Sequence, residues 1–220
     1  MLFSSLKKSD KITGIKEAMA REIEIKARVL NPRDIRIKIS RFAELLGAFE
    51  KVDAYWQPQE PEKIPGSPRY GIRSRKEKFM NTGGKTKETV YITWKFKEVR
   101  NGMEFNDEKE LEVSSGEIIE ELLEHLGFRL ETSKQKKGSV YTLGTMTIEI
   151  TEVESLGWFL EMEILLSESN ENSEEAARDI LLSTLEELGI NREAVESRSY
   201  SQMMSELGLA ELLLDNPGSY

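Results

Sequence analysis

Glu22, Glu24 and Lys26 stand at alternate positions of REIEIKAR (21–28), with Ile23, Ile25 and Ala27 between them. A period of two marks an extended strand whose two faces meet different surroundings. The spacing recurs along the chain. Arg73 and Arg75 alternate in RYGIRSRK, and Thr93, Lys95 and Lys97 alternate in YITWKFKE against Ile92, Trp94 and Phe96. Glu108, Glu110 and Glu112 alternate in NDEKELEV, Glu149 and Thr151 in TIEITEVE, and Glu161 and Glu163 in WFLEMEILL. A solvated face is the ordinary reading of any one such strand, because charged side chains are mostly exposed. Here the signs sort by strand, some carrying carboxylates and others cations, which favours rows that line a polar interior. Arg73, Arg75, Lys95 and Lys97 suit the oxygens of a phosphate chain through charge-assisted hydrogen bonds. The carboxylates at 22, 24, 161 and 163 would repel such a chain and suit Mg²⁺ or Mn²⁺, which bridge to phosphate. Together, cations and metal would neutralise the charge that develops in phosphoryl transfer.

The elements that must position these rows are strands joined mostly by short turns. The pattern predicts strands at about 20–29, 51–57, 69–76, 89–99, 103–113, 128–133, 134–143, 145–153 and 157–167, eight or nine in all. It predicts helices at 31–47, with Asn31 as cap, Pro32 at the first position and Gly47 as stop, and at 114–128, 169–190 and 198–215, the last interrupted near Gly208. In the first helix Ile35, Ile39, Phe42, Leu45 and Leu46 form the apolar face. Residues 57–68 read as a proline-rich loop, and 80–85 and 100–102 as turns. Many antiparallel strands with few free edges predict an α+β fold: an eight-stranded antiparallel β-barrel, or tunnel, with flanking helices. Expected organisation is a flexible lead-in at 1–19, one tunnel domain at 20–205, and a helix end and tail at 206–220.

Composition narrows the chemistry. The chain has 220 residues, no Cys and one His, and a formal net charge of −9. Thiol nucleophiles, disulfides, zinc–thiolate sites and multi-histidine metal sites are excluded, so a metal here must be held by oxygen. The acidic balance argues against general nucleic-acid binding. Yet Lys63 to Arg100 carries eleven Lys and Arg against Glu77, Glu88 and Glu98, a local excess of 11 − 3 = +8, which points to a local anion site. No apolar run approaches the roughly 18 residues of a membrane helix, and the first residues lack a secretory apolar core. A cytoplasmic protein without membrane contact is the expectation. His125 in LLEHLGF reads as a cap or surface residue, TGGK (82–85) as a hairpin turn rather than a phosphate loop, and Met203 and Met204 as packing residues.

EIEIK (22–26) resembles the Glu-x-Glu-x-Lys signature of the CYTH superfamily, the triphosphate tunnel metalloenzymes, which include class IV adenylyl cyclases and thiamine triphosphatases. DAYW (53–56), IRSR (72–75), TWKFK (93–97), EKELE (108–112), KQKK (134–137), EVESLGWFLEMEI (152–164) and RSY (198–200) follow in the family's order, so the resemblance spans about 21–205. It is nearest the class IV cyclase-type branch, through LGWFLEME and the late SY. By position, the resemblance implies metal ligands at Glu22, Glu24 and Glu161, supported by Glu163 and by Glu110 or Glu112. It implies a triphosphate clamp of Lys26, Arg73, Arg75, Lys95 and lysines of the 134–137 run, named as Lys134 and Lys136 with Lys137 in reserve; Lys97 joins it by spacing. Lys26, Glu149 and Thr151 are the candidates for catalysis. Thr151 stands where the family usually has Asp; a threonine is neither an anionic ligand nor a base near neutral pH, and Glu149 on the same face is the substitute. The implied cofactor is Mg²⁺ or Mn²⁺, and the implied partner a nucleotide or small triphosphate. Hydrolysis of that triphosphate is the first expectation, conversion of ATP to cyclic AMP and pyrophosphate the alternative, and a non-catalytic polyphosphate- or nucleotide-binding tunnel the second alternative. The terminal helices are candidates for a homodimer contact.

Overall fold

The computed structural model describes residues 21–60, 70–166 and 170–208. The expected lead-in at 1–19, most of the proline-rich loop and the tail beyond Gly208 lie outside the described residues. Eight strands form one closed antiparallel barrel: β1 (Arg21–Arg28), β2 (Glu44–Pro58), β3 (Tyr70–Asn81), β4 (Thr86–Arg100), β5 (Met103–Val113), β6 (Phe128–Leu143), β7 (Met146–Val153) and β8 (Gly157–Leu166). The order around the barrel is β1-β5-β4-β3-β2-β6-β7-β8, and β8 returns to pair with β1. Among the described residues four α-helices accompany it: α1 (Pro32–Ile39), α2 (Gly116–His125), α3 (Glu171–Glu187) and α4 (Tyr200–Glu206). None is long and apolar enough to cross a membrane.

The barrel is polar inside and apolar outside, which answers why β1 carries a charged row. Its other row, Ile23, Ile25 and Ala27, is fully buried on the outer face with Met103 and Phe105 of β5, Ile148 and Ile150 of β7, and Leu160, Met162 and Ile164 of β8. Helices α1 and α3 close over this surface with Ile35, Ile39, Ala177, Leu181 and Leu185. The core therefore lies between the barrel wall and its helices, each buried aliphatic side chain contributing about 1.5–3 kcal/mol.

Local chemistry sets the helix starts. The Asn31 side chain accepts from the Asp34 N–H, that of Ser115 from the Ile118 N–H, and Asn170 and Ser199 each form a reciprocal capping box. Three sequence expectations need correction. The helix expected over 31–47 ends at Ile39, and β2 begins at Glu44, so Leu45 and Leu46 lie in a strand and are partly exposed. The strands β3 and β6 flank β2 on both sides, and that pairing overrides the helical spacing. Gly47 is thus a close-approach position, where a Cβ would strike the Met80 carbonyl oxygen, rather than a helix stop. The strands expected at 128–133 and 134–143 are one strand, β6, with a register irregularity opposite Tyr55 and Trp56. The β3 strand runs on to Asn81, leaving a tighter turn in which the Asn81 side chain accepts from the Lys85 N–H. The last helix breaks near Gly208 as expected: its described part is the short α4, Gly208 stands in the left-handed region (φ 68°), and residues 209–215 lie outside the described residues.

Candidate active site

The inward rows enclose a cavity of about 1220 Å³. Barrel order divides its charges into two contiguous halves. The half formed by β5, β1, β8 and β7 presents eight carboxylates, Glu104, Glu108, Glu110, Glu22, Glu24, Glu161, Glu163 and Glu149, with Lys26 as its cation. The half formed by β4, β3, β2 and β6 presents seven cations, Lys95, Lys97, Arg73, Arg75, Lys51, Lys134 and Lys136, against Glu77 and Glu131. The segment 197–202 and Ser205 close over one part of the cavity.

Ion pairs span the two halves. Lys95 lies 3.1 Å from Glu22, 3.3 Å from Glu108 and 3.8 Å from Glu24. Arg73 reaches Glu108 at 3.3 Å and Glu110 at 3.7 Å. Lys51 meets Glu149 at 2.7 Å, Lys136 meets Glu161 at 3.0 Å and Glu149 at 3.5 Å, and Lys97 pairs with Glu104. Other pairs lie within the basic half, where Lys51 also stands 3.7 Å from Glu77. Asp53, fully buried, accepts two bonds from Arg75 at 2.6 and 2.9 Å and sits 3.5 Å from Lys134.

These contacts set the protonation states. Burial would raise the Asp53 and Glu161 carboxyls, but Arg75 with Lys134 and Arg73 together outweigh it for the first, and Lys136 with Lys134 and Lys26 for the second, and both are held well below the ordinary range. Lys134 is pushed down to about 7 by burial, against the pull of Asp53. On the acidic half, Glu24 is raised well above its ordinary value by burial and by Glu104, with Glu161 and Glu22 adding to it. Glu163 is raised to about 7 by burial and by Glu22 and Glu149.

The acidic half therefore holds more carboxylate than its cations neutralise, and every donor there is a hard oxygen. That donor set fits Mg²⁺ or Mn²⁺. Among the described residues, no three acids already stand close enough to form a finished metal cage. The fit is to an ion that brings Glu22, Glu24, Glu161 and Glu163 together with ligand oxygens.

The structure brings Glu22, Glu24, Lys26, Arg73, Arg75, Lys95, Lys97, Glu110, Lys134, Lys136, Glu149, Glu161 and Glu163 to the cavity. Two candidates fall elsewhere. Glu112 lies beyond the lining, 57% exposed and 3.3 Å from Lys87. Thr151 is fully buried outside the lining, opposite Gly138 and Phe159 in register, and its hydroxyl has no hydrogen-bond partner. Strand parity names the correct side for both, but not their depth along the barrel. The reserve lysine, Lys137, faces outward and pairs with Glu152. Sequence reasoning missed Lys51 and Asp53, which alternate in KVDAY with the same period, and Glu104, which opens the β5 row. Tyr200 was visible only as part of RSY. His125 sits at an exposed helix end with its ring nitrogen 2.8 Å from the Glu121 carbonyl oxygen, while Met203 and Met204 are buried against Phe159.

Comparison with known proteins agrees with this geometry. The model of the CYTH domain matches residues 20–200, and the chain belongs to that family. The PH1012 protein of Pyrococcus horikoshii is 31% identical over 82% of this chain and 98% of its own, with a TM-score of 0.65. The PH1819 protein of the same organism is 27% identical over 84% and 99%, with a TM-score of 0.71. HpAC1 of Hippeastrum, described as an adenylyl cyclase candidate with a dominant triphosphatase activity, shares the fold at 15% identity and a TM-score of 0.59, over 86% and 96%. No curated protein matches the chain.

Proposed function

We propose that this member of the CYTH family is a divalent-metal-dependent enzyme that acts on the triphosphate of a nucleotide, an organic triphosphate or tripolyphosphate, and hydrolyses it. The observation that carries this reading is the sorting of seven cations and eight carboxylates onto opposite halves of one cavity. A polyanion satisfies the first half and a divalent ion the second.

The ion pairs across the cavity make the two bindings cooperative. A phosphate chain that takes Lys95 and Arg73 releases Glu22, Glu24, Glu108 and Glu110 from their present partners. Glu22 and Glu24, so freed, would hold the metal together with Glu161, with Glu163 beside them. When bound, the metal supplies Lewis-acid neutralisation of phosphate oxygens. Arg73, Arg75, Lys95 and Lys97 bind the chain along the β3–β4 wall, while Lys26, Lys134 and Lys136 approach it from β1 and β6. Glu149, which Lys51 and Lys136 hold ionised against the effect of burial, orients the attacking water. The water oxygen bonds to the terminal phosphorus as the bridging P–O bond breaks. Charge on the departing oxygen falls to the cations of the basic half.

Cavity size keeps a second reading in play. Roughly 300–1,000 Å³ suffices for a drug-sized ligand, so 1220 Å³ leaves room for a nucleoside beside the phosphates. In that reading the ribose 3′-hydroxyl of ATP attacks the α-phosphorus, giving cyclic AMP and pyrophosphate.

Product analysis decides between them. Tripolyphosphate, ATP and thiamine triphosphate are each incubated with the protein and Mg²⁺ or Mn²⁺. Metal-dependent orthophosphate release supports hydrolysis, and cyclic AMP with pyrophosphate supports cyclisation. Tight, Lys95-dependent binding without product leaves a binding tunnel and overturns both.

A further inference from the structure

A second, smaller cavity of about 330 Å³ lies outside the barrel, between Arg36 of α1 and the outer face of β2, β3 and β6. Phe49, Met80, Gly138 and Trp158 give it an apolar lining. Its charged groups are ordered by strand pairing. Glu88, Lys78, Glu50, Lys137 and Glu152 follow one another in register across β4, β3, β2, β6 and β7, alternating in sign. Lys78 stands 3.8 Å from Glu88 and Lys137 3.3 Å from Glu152. Cross-strand pairs of opposite charge stabilise a sheet, so this row is accounted for by the fold and leaves no spare cation. It ends at Trp158, the register partner of Glu152.

Arg36 is not accounted for in that way. Its guanidinium lies over the Trp158 ring at 4.7 Å from the centroid. Among the described residues no carboxylate pairs with it, and its Nε–H is buried without an acceptor. Stacking uses the face of the guanidinium and leaves its in-plane donors without a protein acceptor. We propose that this groove is a second ligand site, for a small planar monocarboxylate that sets its apolar body against Trp158 and Met80 and its carboxylate on Arg36. The carboxylate matches the planar fork of the guanidinium. A single charge fits because only Arg36 is unbalanced there, and a polyanion would meet Glu50. The volume lies at the small end of ligand pockets. Phe49 separates the groove from the barrel cavity: its ring lies so near Gly138 that a Cβ there would come within 2.9 Å, and it stands 4.1 Å from Lys51 and 5.9 Å from Lys136. The proposal does not depend on the triphosphate reading.

The test titrates 2-naphthoate into the ¹⁵N-labelled protein and follows the Trp158 indole N–H resonance, assigned with Trp158→Phe. The expected result is a saturable shift with a Kd of about a millimolar or tighter, the range for a ligand of that size. Affinity should fall about ten- to a hundredfold in Arg36→Gln, the range of hydrogen bonds to a charged group. It should be unchanged in Lys95→Ala, which alters the barrel cavity instead. The neutral analogue 2-naphthalenemethanol should bind wild type at least about tenfold more weakly, a comparison that needs no variant to fold. Absence of a saturable Trp158 shift overturns the proposal. Equal affinity for acid and alcohol, or equal affinity in wild type and Arg36→Gln, also overturns it, since Arg36 would then hold no carboxylate. Affinity lost in Lys95→Ala overturns it too, by locating the acid in the barrel cavity, and leaves the triphosphate reading standing.

Discussion

The two halves of the barrel are built differently. The acidic half uses short strands, 8 residues in β1 and β7, 10 in β8 and 11 in β5, and backs them with the buried core under α1 and α3. The basic half uses longer ones, 15 residues in β2 and β4, 12 in β3 and 16 in β6. Its outer face is thinly covered, with Met80 and Trp94 both more than two-fifths exposed, and α2 lies over part of it through the relay Trp56 Nε1 to Ser74 Oγ to Glu120 Oε1. Like charges crowded on a wall repel and raise the free energy of the folded state. The acidic half carries that repulsion where the hydrophobic backing is strongest. The basic half relieves its own by burying Asp53 among its cations.

The contrast can be broken from either side. Replacing Glu22 and Glu24 together by Gln should lower metal-dependent turnover by about 10³-fold. Titration of metal-free tripolyphosphate into the same variant should show equal or tighter binding, because repulsion is gone while the cations remain. Loss of both properties would mean that the acidic half serves anion binding.

Asp53→Asn removes the counter-charge buried with Arg75 and Lys134 and should cost about 3–5 kcal/mol in denaturant unfolding near pH 7. The sign with pH follows from its depressed value. The contribution of Asp53 is complete above its ordinary pKa of 3.8 and is lost as pH falls through the lower folded value. The gap between wild type and variant should therefore narrow only in acid below that point; a constant gap would assign the loss to packing.

Leu181→Ala, beneath the acidic half, should cost about 2–5 kcal/mol. Met80→Ala, on the outer face of the basic half, should cost under about 1 kcal/mol. Equal losses would erase the distinction between a backed and a thinly covered wall.

Much of this contrast was legible in the sequence, because a strand's period reports directly which side chains share a face. The inward rows of β1, β3, β4, β5 and β8 followed from that alone. Three things did not. Phe42, Leu45 and Leu46 continue the helical spacing of Ile35 and Ile39, and only pairing of β2 with β3 and β6 shows where the helix stops. Depth along the tunnel depends on the stagger between strands, so Thr151 and Glu112, expected in the site, share its face but lie beyond the cavity lining. Tyr200 meets Lys26 across more than 170 positions of chain, a contact that local patterning does not carry.

The central claim is that one cavity holds a divalent ion on its acidic half against a phosphate chain on its basic half. Mn²⁺ is paramagnetic, so ³¹P resonance of bound tripolyphosphate measures that proximity. The account predicts strong Mn²⁺-dependent relaxation of the bound phosphorus signals in wild type, lost in Glu22→Gln/Glu24→Gln while the phosphate stays bound. Tripolyphosphate that binds in a Lys95-dependent way and relaxes no faster with Mn²⁺ would contradict it.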